Sequence, residues 1–177
     1  LYPDWRESSL HESSPGRRGA SARLARQCAD YTPSQYDPAI QLGEWDPTRR
    51  WRNENLEKQT FADESFDLVI SQDVMEHVFD IDSAFREIAR TLKPGGAHIF
   101  TTPLVNGDSS GTRPAARLLE DGSVEYLEPP EYHGNPIDDE GSLVTWKYGY
   151  DIVDIIKEAT GLETSIVQLD DMELGIK

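Results

Sequence analysis

Apolar positions fall in two rhythms along this chain, short unbroken runs and longer stretches at helical spacing, and their alternation predicts an α/β sheet. The clearest run, Phe66-Asp67-Leu68-Val69-Ile70-Ser71, ends abruptly at Gln72 and Asp73, as expected of a central, buried strand. Behind it Ala84, Phe85, Ile88, Ala89 and Leu92 recur at helical spacing, while Arg86, Glu87 and Arg90 take the other face. Lys93-Pro94-Gly95-Gly96 should stop that helix, because proline breaks the hydrogen-bond ladder and glycine accepts a left-handed turn. A strand over 97–102 follows, completing a βαβ unit with a right-handed crossover. Upstream, the pattern predicts a strand over 8–12, a helix over 20–29 and a strand over 31–35. A loop over 37–53 then leads into a short strand around 52–56.

Beyond Pro103 the rhythm is lost until about Tyr148, a stretch too long for a simple connection. Inside it Asp121-Gly122 separates two alternating runs, a strong hairpin signal. Ile152, Val153, Ile155, Ile156 and Ala159 then mark an amphipathic helix closed by Gly161. Two final strands over 164–169 and 172–176, joined by Asp170-Asp171, should pair antiparallel. The elements add up to a mostly parallel sheet whose last strand is reversed, in one domain over 1–177 with a lid-like insertion at about 104–148. Ligands of such sheets sit outside the carboxyl ends of the strands. That rim collects residues 12–19, Gln35, Asn55, Leu56, Gln72 and Asp73.

Composition narrows the partners. Seventeen Lys and Arg against 33 Asp and Glu give a net charge of −16, which repels phosphate backbones and anionic membrane surfaces. A small-molecule partner is expected, with neither nucleic acid nor membrane. No run approaches the ~20 apolar residues of a membrane span, and residues 1–20 lack the apolar core of a signal peptide. The single cysteine, Cys28, suits a reducing compartment such as the cytoplasm. The chain opens on Leu1 and not Met, as a fragment or processed product would.

The residues Phe61-Ala62-Asp63-Glu64-Ser65-Phe66-Asp67-Leu68-Val69-Ile70-Ser71, then Glu76-His77-Val78, then Leu92-Lys93-Pro94-Gly95-Gly96, carry a resemblance. In sequence and spacing this block is similar to the central block of class I S-adenosylmethionine-dependent methyltransferases. The resemblance implies a Rossmann-like, seven-stranded sheet with a reversed terminal strand, and S-adenosylmethionine as cofactor. It also implies site residues. The acid ending the first strand falls on Glu12, and the family's glycine turn falls on Ser14, Gly16 and Arg18, of which only Gly16 is a glycine. Gln35 takes the place of the acid that grips the cofactor ribose, and an uncharged amide holds a diol less strongly than a carboxylate. Asn55 and Leu56 fall at the adenine-contacting positions, and Gln72 and Asp73 face the reactive end of the cofactor.

Methyl transfer from a sulfonium is an in-line displacement that needs an aimed nucleophile and, for a hydroxyl, a base. His133, in the turn-rich insertion, and His77, in the Glu-His-Val pattern, are the candidates. His11 and His98 read as structural, and Glu76 as a helix-start residue. No metal ligand set is expected: the pairs Asp138-Asp139 and Asp170-Asp171 have no spaced histidines and read as solvated turns. Two functions follow, an active methyltransferase acting on a hydroxyl or amine of a small molecule, and a non-catalytic relative with a degraded cofactor turn that serves as a binding or scaffold domain. A nicotinamide enzyme would need three glycines in its phosphate turn.

Overall fold

A computed structural model of the chain describes residues 5–16, 18–104, 111–134 and 140–167. Six strands form the main sheet: β1 (Ser9–Ser13), β2 (Asp30–Gln35), β3 (Trp45–Asp46), β4 (Trp51–Asn53), β5 (Phe66–Gln72) and β6 (Leu92–Thr101). Their spatial order is β3-β4-β2-β1-β5-β6. All neighbours are parallel except β3 and β4, which pair antiparallel. The mostly parallel α/β fold is as expected, with six strands among the described residues in place of seven.

The strand expected over 164–169 is not formed over 164–167. Ile166 and Val167 are exposed there, with no neighbouring strand among the described residues. The rest of that strand, and the one expected over 172–176, lie outside the described residues. The turn expected at 93–96 is absorbed into β6. Phe66 pairs with Leu92 and Leu68 with Ala97, so the extra residues form an irregularity in which Gly95 supplies a φ of 82°.

Three helices support the sheet: α1 (Gly19–Gln27), α2 (Ile81–Thr91) and α3 (Ile152–Thr160). The Asp80 side chain accepts from the Ser83 N–H at 3.0 Å and caps α2, and Gly161 closes α3 with a φ of 76°. Ile81, Phe85 and Ile88 of α2 and Ile152 and Ile156 of α3 meet Phe66, Val69 and Met75 in one core. On α1 only Ser21 is buried, so that helix rests on the sheet along a narrow line.

Between β6 and α3 the chain forms three small antiparallel ladders. β7 (Arg113–Pro114) pairs with β12 (Trp146–Lys147), β8 (Ala116–Leu118) with β9 (Val124–Tyr126), and β10 (Tyr132–His133) with β11 (Ser142–Leu143). The second of these is the hairpin expected around Asp121-Gly122. This segment is fastened to the short 3-10 turn Met75–His77 that follows β5. Thr145 N–H donates to the Glu76 carbonyl at 2.8 Å, Tyr148 Oη to the Met75 carbonyl at 2.7 Å, and Trp146 Nε1 to the Phe79 carbonyl at 3.1 Å. Thr145 Oγ1 donates to the carbonyls of Glu76 and Val78. Trp146 and Tyr148, expected around a pocket, are therefore the anchors of the segment, whereas Tyr132 and Tyr150 are exposed.

Candidate functional site

Parallel pairing aligns the strand ends. Ser13 pairs with Ser34 and Ser71, Gln35 with Asn53, and Gln72 with Thr101, so Ser13, Gln35, Asn53, Gln72 and Thr101 lie along one edge. Beneath that edge Glu12 is fully buried. Its Oε1 accepts from Ser21 Oγ at 2.5 Å and from Gln72 Nε2 at 3.2 Å, and its Oε2 accepts from Tyr31 Oη at 2.7 Å. Burial and this bond to a carboxylate push the Tyr31 phenol up. One carboxylate thus ties β1, α1, β2 and β5 together. Gln72, expected to face the cofactor, spends an amide N–H on this network.

The turn after β1 departs from glycine where glycine would be easiest. Ser14 has a φ of 55° and Gly19 one of 65°, both in the left-handed region that costs a side-chain-bearing residue about 1 kcal/mol. Gly16 has ordinary space for a Cβ, and its N–H donates to Ser21 Oγ at 3.0 Å. Arg18 is extended, with a φ of −136°, and exposed, so nothing in its backbone calls for glycine. The conformational demand therefore falls on 14 and 19. Ser14→Gly is expected to raise the urea midpoint by the equivalent of a few tenths to about 1 kcal/mol, relief of strain being partly offset by unfolded-state entropy. A midpoint that falls would show that the Ser14 side chain stabilises the turn.

Two clefts flank α1. One, of about 400 Å³, is lined by Ala20, Arg23 and Leu24 of α1 with Ile70, Gln72 and Ile99 of the sheet. The other, of about 1090 Å³, lies between Pro15-Gly16, the outer face of α1, Gln35 and the Trp45–Trp51 hairpin, with Tyr31, Arg49 and Arg50 also on its wall. The larger is roomy enough for a drug-sized ligand. Gln35 stands on its wall, and Gln35 Oε1 is buried with no hydrogen-bond partner among the described residues. A side-chain rotation that brings this oxygen to the cleft would let a ligand hydroxyl, such as that of a ribose, satisfy it.

The structure does not bring every expected residue to this cleft. Leu56 is turned into the hydrophobic core with Phe66 and Met75, because it is 6% exposed and needs apolar neighbours. It is core packing and not an exposed ring platform. Asn55 uses its Oδ1 to accept from the Glu57 N–H at 2.9 Å, which closes a local turn. Trp45, Arg49 and Trp51, within a stretch that read as featureless loop, line the cleft instead. Their signal was compositional only, two tryptophans and three arginines over 45–52.

Beyond β5 a second polar group assembles. Asp73, with a φ of 51°, accepts from Thr101 Oγ1 at 3.0 Å and turns the chain into Met75–His77. His77 Nδ1 donates to the Leu143 carbonyl at 2.8 Å, which leaves Nε2 with the lone pair. His133 reaches the same point from β10, its ring 5.2 Å from that of His77 and edge-on to it. Between them sits Glu76, 2% exposed. Its Oε1 is 3.7 Å from His133 Nδ1 and 4.0 Å from His77 Nε2. Burial pushes the Glu76 carboxyl up. The two histidines singled out from sequence are therefore neighbours, although 56 positions separate them. Glu76, which read as a helix-start residue, is the buried member of the group.

Comparison with known proteins agrees with this architecture. A family described as a methyltransferase domain matches residues 14–100, about half of the chain. A dimethylglycine N-methyltransferase of Parasynechococcus marenigrum is 44% identical over 50 residues, 28% of this chain and 18% of that protein. A glycine/sarcosine/dimethylglycine N-methyltransferase of Actinopolyspora halophila is 30% identical over 79 residues, 45% of this chain and 14% of that protein. The matches thus span less than a fifth of the length of these curated relatives. Among solved structures, an S-adenosylmethionine dependent methyltransferase from Mesorhizobium loti superposes with a TM-score of 0.57 at 15% identity, over 89% of this chain and 76% of that one. Strand order, the 61–96 block and these matches place the chain in the class I S-adenosylmethionine-dependent methyltransferase family.

Proposed function

We propose that this chain transfers a methyl group from S-adenosylmethionine to an amine or hydroxyl of a small-molecule acceptor. The observation that carries the reading is the cleft bounded by the turn after β1 and lined by Gln35, whose Oε1 has no hydrogen-bond partner among the described residues. A rotation of the Gln35 side chain would let cofactor ribose hydroxyls donate to that oxygen, Trp45 offers a ring face to the adenine, and the turn carrying Ser14 and Gly16 holds the methionine end. The acceptor end is the group formed by Glu76, His77 and His133, with Asp73 beside it. Segment 104–148, which supplies His133, serves as the lid there. In the displacement the S–CH3 bond breaks as the acceptor lone pair bonds to the methyl carbon. The acceptor proton passes to an unprotonated ring nitrogen, His77 Nε2 or His133 Nδ1. The names of the curated relatives, N-methyltransferases of glycine, sarcosine and dimethylglycine, favour nitrogen as the accepting atom. The net charge of −16 argues for a small molecule over nucleic acid, and the single Cys28 for a cytoplasmic setting. Among the described residues no helix is long and apolar enough to cross a membrane.

A second reading, a non-catalytic binding domain, draws on Ser14 in the left-handed position and on an amide at 35. Calorimetric titration with S-adenosylhomocysteine separates the two. Micromolar binding is expected, weakened at least tenfold in Gln35→Leu because the ligand hydroxyls lose their acceptor. The ligand-free stability of that variant should be equal or higher, since an unpaired buried carbonyl is removed. No binding by the native chain would favour the scaffold reading, and equal binding by Gln35→Leu would sink the assigned ribose position.

A further inference from the structure

The group Glu76, His77 and His133 offers two imidazole nitrogens and one carboxylate oxygen, all within 4.8 Å of one another. We infer that these three side chains bind a divalent first-row transition cation beyond the end of β5, with open coordination positions for oxygen atoms of the acceptor. Four observations carry this. The first is that Glu76 Oε1 has no hydrogen-bond partner among the described residues, although its residue is 2% exposed and two ring nitrogens face it. At 3.7 and 4.0 Å neither ring hydrogen-bonds it. Ligands around an ion about 2.1 Å away stand about 3.4 Å apart, so side-chain rotations that bring these atoms closer by an ångström or so complete the set.

The second observation is the outer support. A metal-bound histidine is usually held by a hydrogen bond from its other nitrogen to a carbonyl or carboxylate. Here His77 Nδ1 donates to the Leu143 carbonyl at 2.8 Å, and His133 Nε2 faces Glu131 Oε1 at 3.4 Å. Both rings are held from behind and present the remaining nitrogen to the same point. Third, Glu131 is itself fixed, because Lys147 lies 3.5 Å from its other oxygen and its carbonyl accepts from the Val144 N–H at 2.8 Å. Finally, the three ligands come from elements clamped together by Thr145 and Tyr148, a rigid frame for a site with open positions.

Two imidazoles and one carboxylate suit manganese-to-zinc ions better than magnesium or calcium, which prefer all-oxygen sets. The inference rests on the preceding reading only for the place of the acceptor, and it replaces the free-imidazole step. A ring nitrogen bonded to a cation is no longer a base. The cation would hold the acceptor through an oxygen other than the accepting atom, whose lone pair stays free to bond the methyl carbon as the S–CH3 bond breaks, and the released proton would pass to water.

The test is titration of the chelator-stripped chain with Co2+ in excess Mg2+, which saturates the loosely binding acidic surface. Visible d–d absorption is read, and S-adenosylhomocysteine affinity is measured in the same samples. One Co2+ per chain is expected, displaced by Zn2+, with affinity at least tenfold weaker in His133→Gln and in His77→Gln and cofactor affinity unchanged in both. Glu131→Gln, which touches no ion, is expected to weaken Co2+ by a smaller factor, and thermal melts of each variant identify any that fail to fold. Absence of a saturable Co2+ signal, or equal signals in parent and His133→Gln, overturns the cation site whatever the cofactor does. Co2+ binding without S-adenosylhomocysteine binding supports the site and overturns the cofactor reading alone.

Discussion

Glu12→Ala is expected to lower the stability of this chain by about 4 kcal/mol, a large part of the 5–15 kcal/mol typical of a domain. The Glu12 carboxylate is fully buried and accepts from the Ser21 hydroxyl, the Tyr31 hydroxyl and the Gln72 amide. Hydrogen bonds to a charged group are worth about 1.5–3 kcal/mol each, and donors left unpaired in the interior lose their hydration as well. Some of that loss is recovered where Tyr31 and Gln72 reach water, which keeps the sum below a simple addition. Glu12→Gln keeps the shape and one acceptor oxygen, and its cost should be less than half. Urea midpoints of the three proteins decide the matter, and a change below about 1 kcal/mol for Glu12→Ala would show that the carboxylate is not the tie described above. Because the same carboxylate fixes the ends of β1 and β5 and the start of α1, S-adenosylhomocysteine affinity should fall alongside stability. That distinguishes Glu12 from Gln35, whose loss costs affinity alone.

Acidification from pH 6.5 to pH 5 is expected to remove about 2 kcal/mol of stability through His11 alone. The ring is buried between Phe61 and Phe66 at 4.8 and 5.1 Å, with Nε2 2.7 Å from Ser34 Oγ. Burial pushes its pKa down from 6.5 to about 3, helped by repulsion from His98 where that ring is also protonated and from the positive charge of Arg52. The folded chain therefore keeps His11 neutral while the unfolded chain protonates it below pH 6.5. Its contribution is fully present above that value and is lost as pH falls toward 3, at about 1.4 kcal/mol per pH unit. His98, stacked 4.8 Å from Phe100 and likewise pushed by burial to about 3, adds to the slope. Carboxylates also titrate in this range, so the informative quantity is a difference. Urea midpoints of the parent and of His11→Leu, each at pH 7.5 and pH 5, should show a smaller acid loss in the variant. Parallel behaviour would mean that His11 takes a proton without unfolding.

Much of the fold was legible because it depends on local pattern. The β-branched run 66–71 could only be a buried strand, the apolar spacing over 84–92 only one face of a helix, and Asp121-Gly122 only a tight turn. Each is fixed by side chains a few positions apart, and each was found within about three residues of its observed place. The small strand β3 was missed and β4 was expected slightly late, around 52–56, because two or three residues give no period, and their order in the sheet is set by neighbours far along the chain. The run 164–167 pairs with no strand among the described residues, although β6 stands at the sheet edge.

The site divides in the same way. Sequence alone determined the family resemblance, the alignment of Ser13, Gln35 and Gln72 along one rim, and the two histidines worth testing, since strand ends and motif spacing are local properties. Only the tertiary structure decided that Leu56 packs inward, that Glu12 is consumed by three protein donors, and that Gln35 lines a cleft while its buried oxygen has no partner among the described residues. It also decided that His77 and His133 converge on Glu76. A ligand set split between a turn after β5 and a hairpin 56 residues later has no spacing to read, because the chain between them folds back under hydrogen bonds from Thr145 and Tyr148 that no sequence window contains.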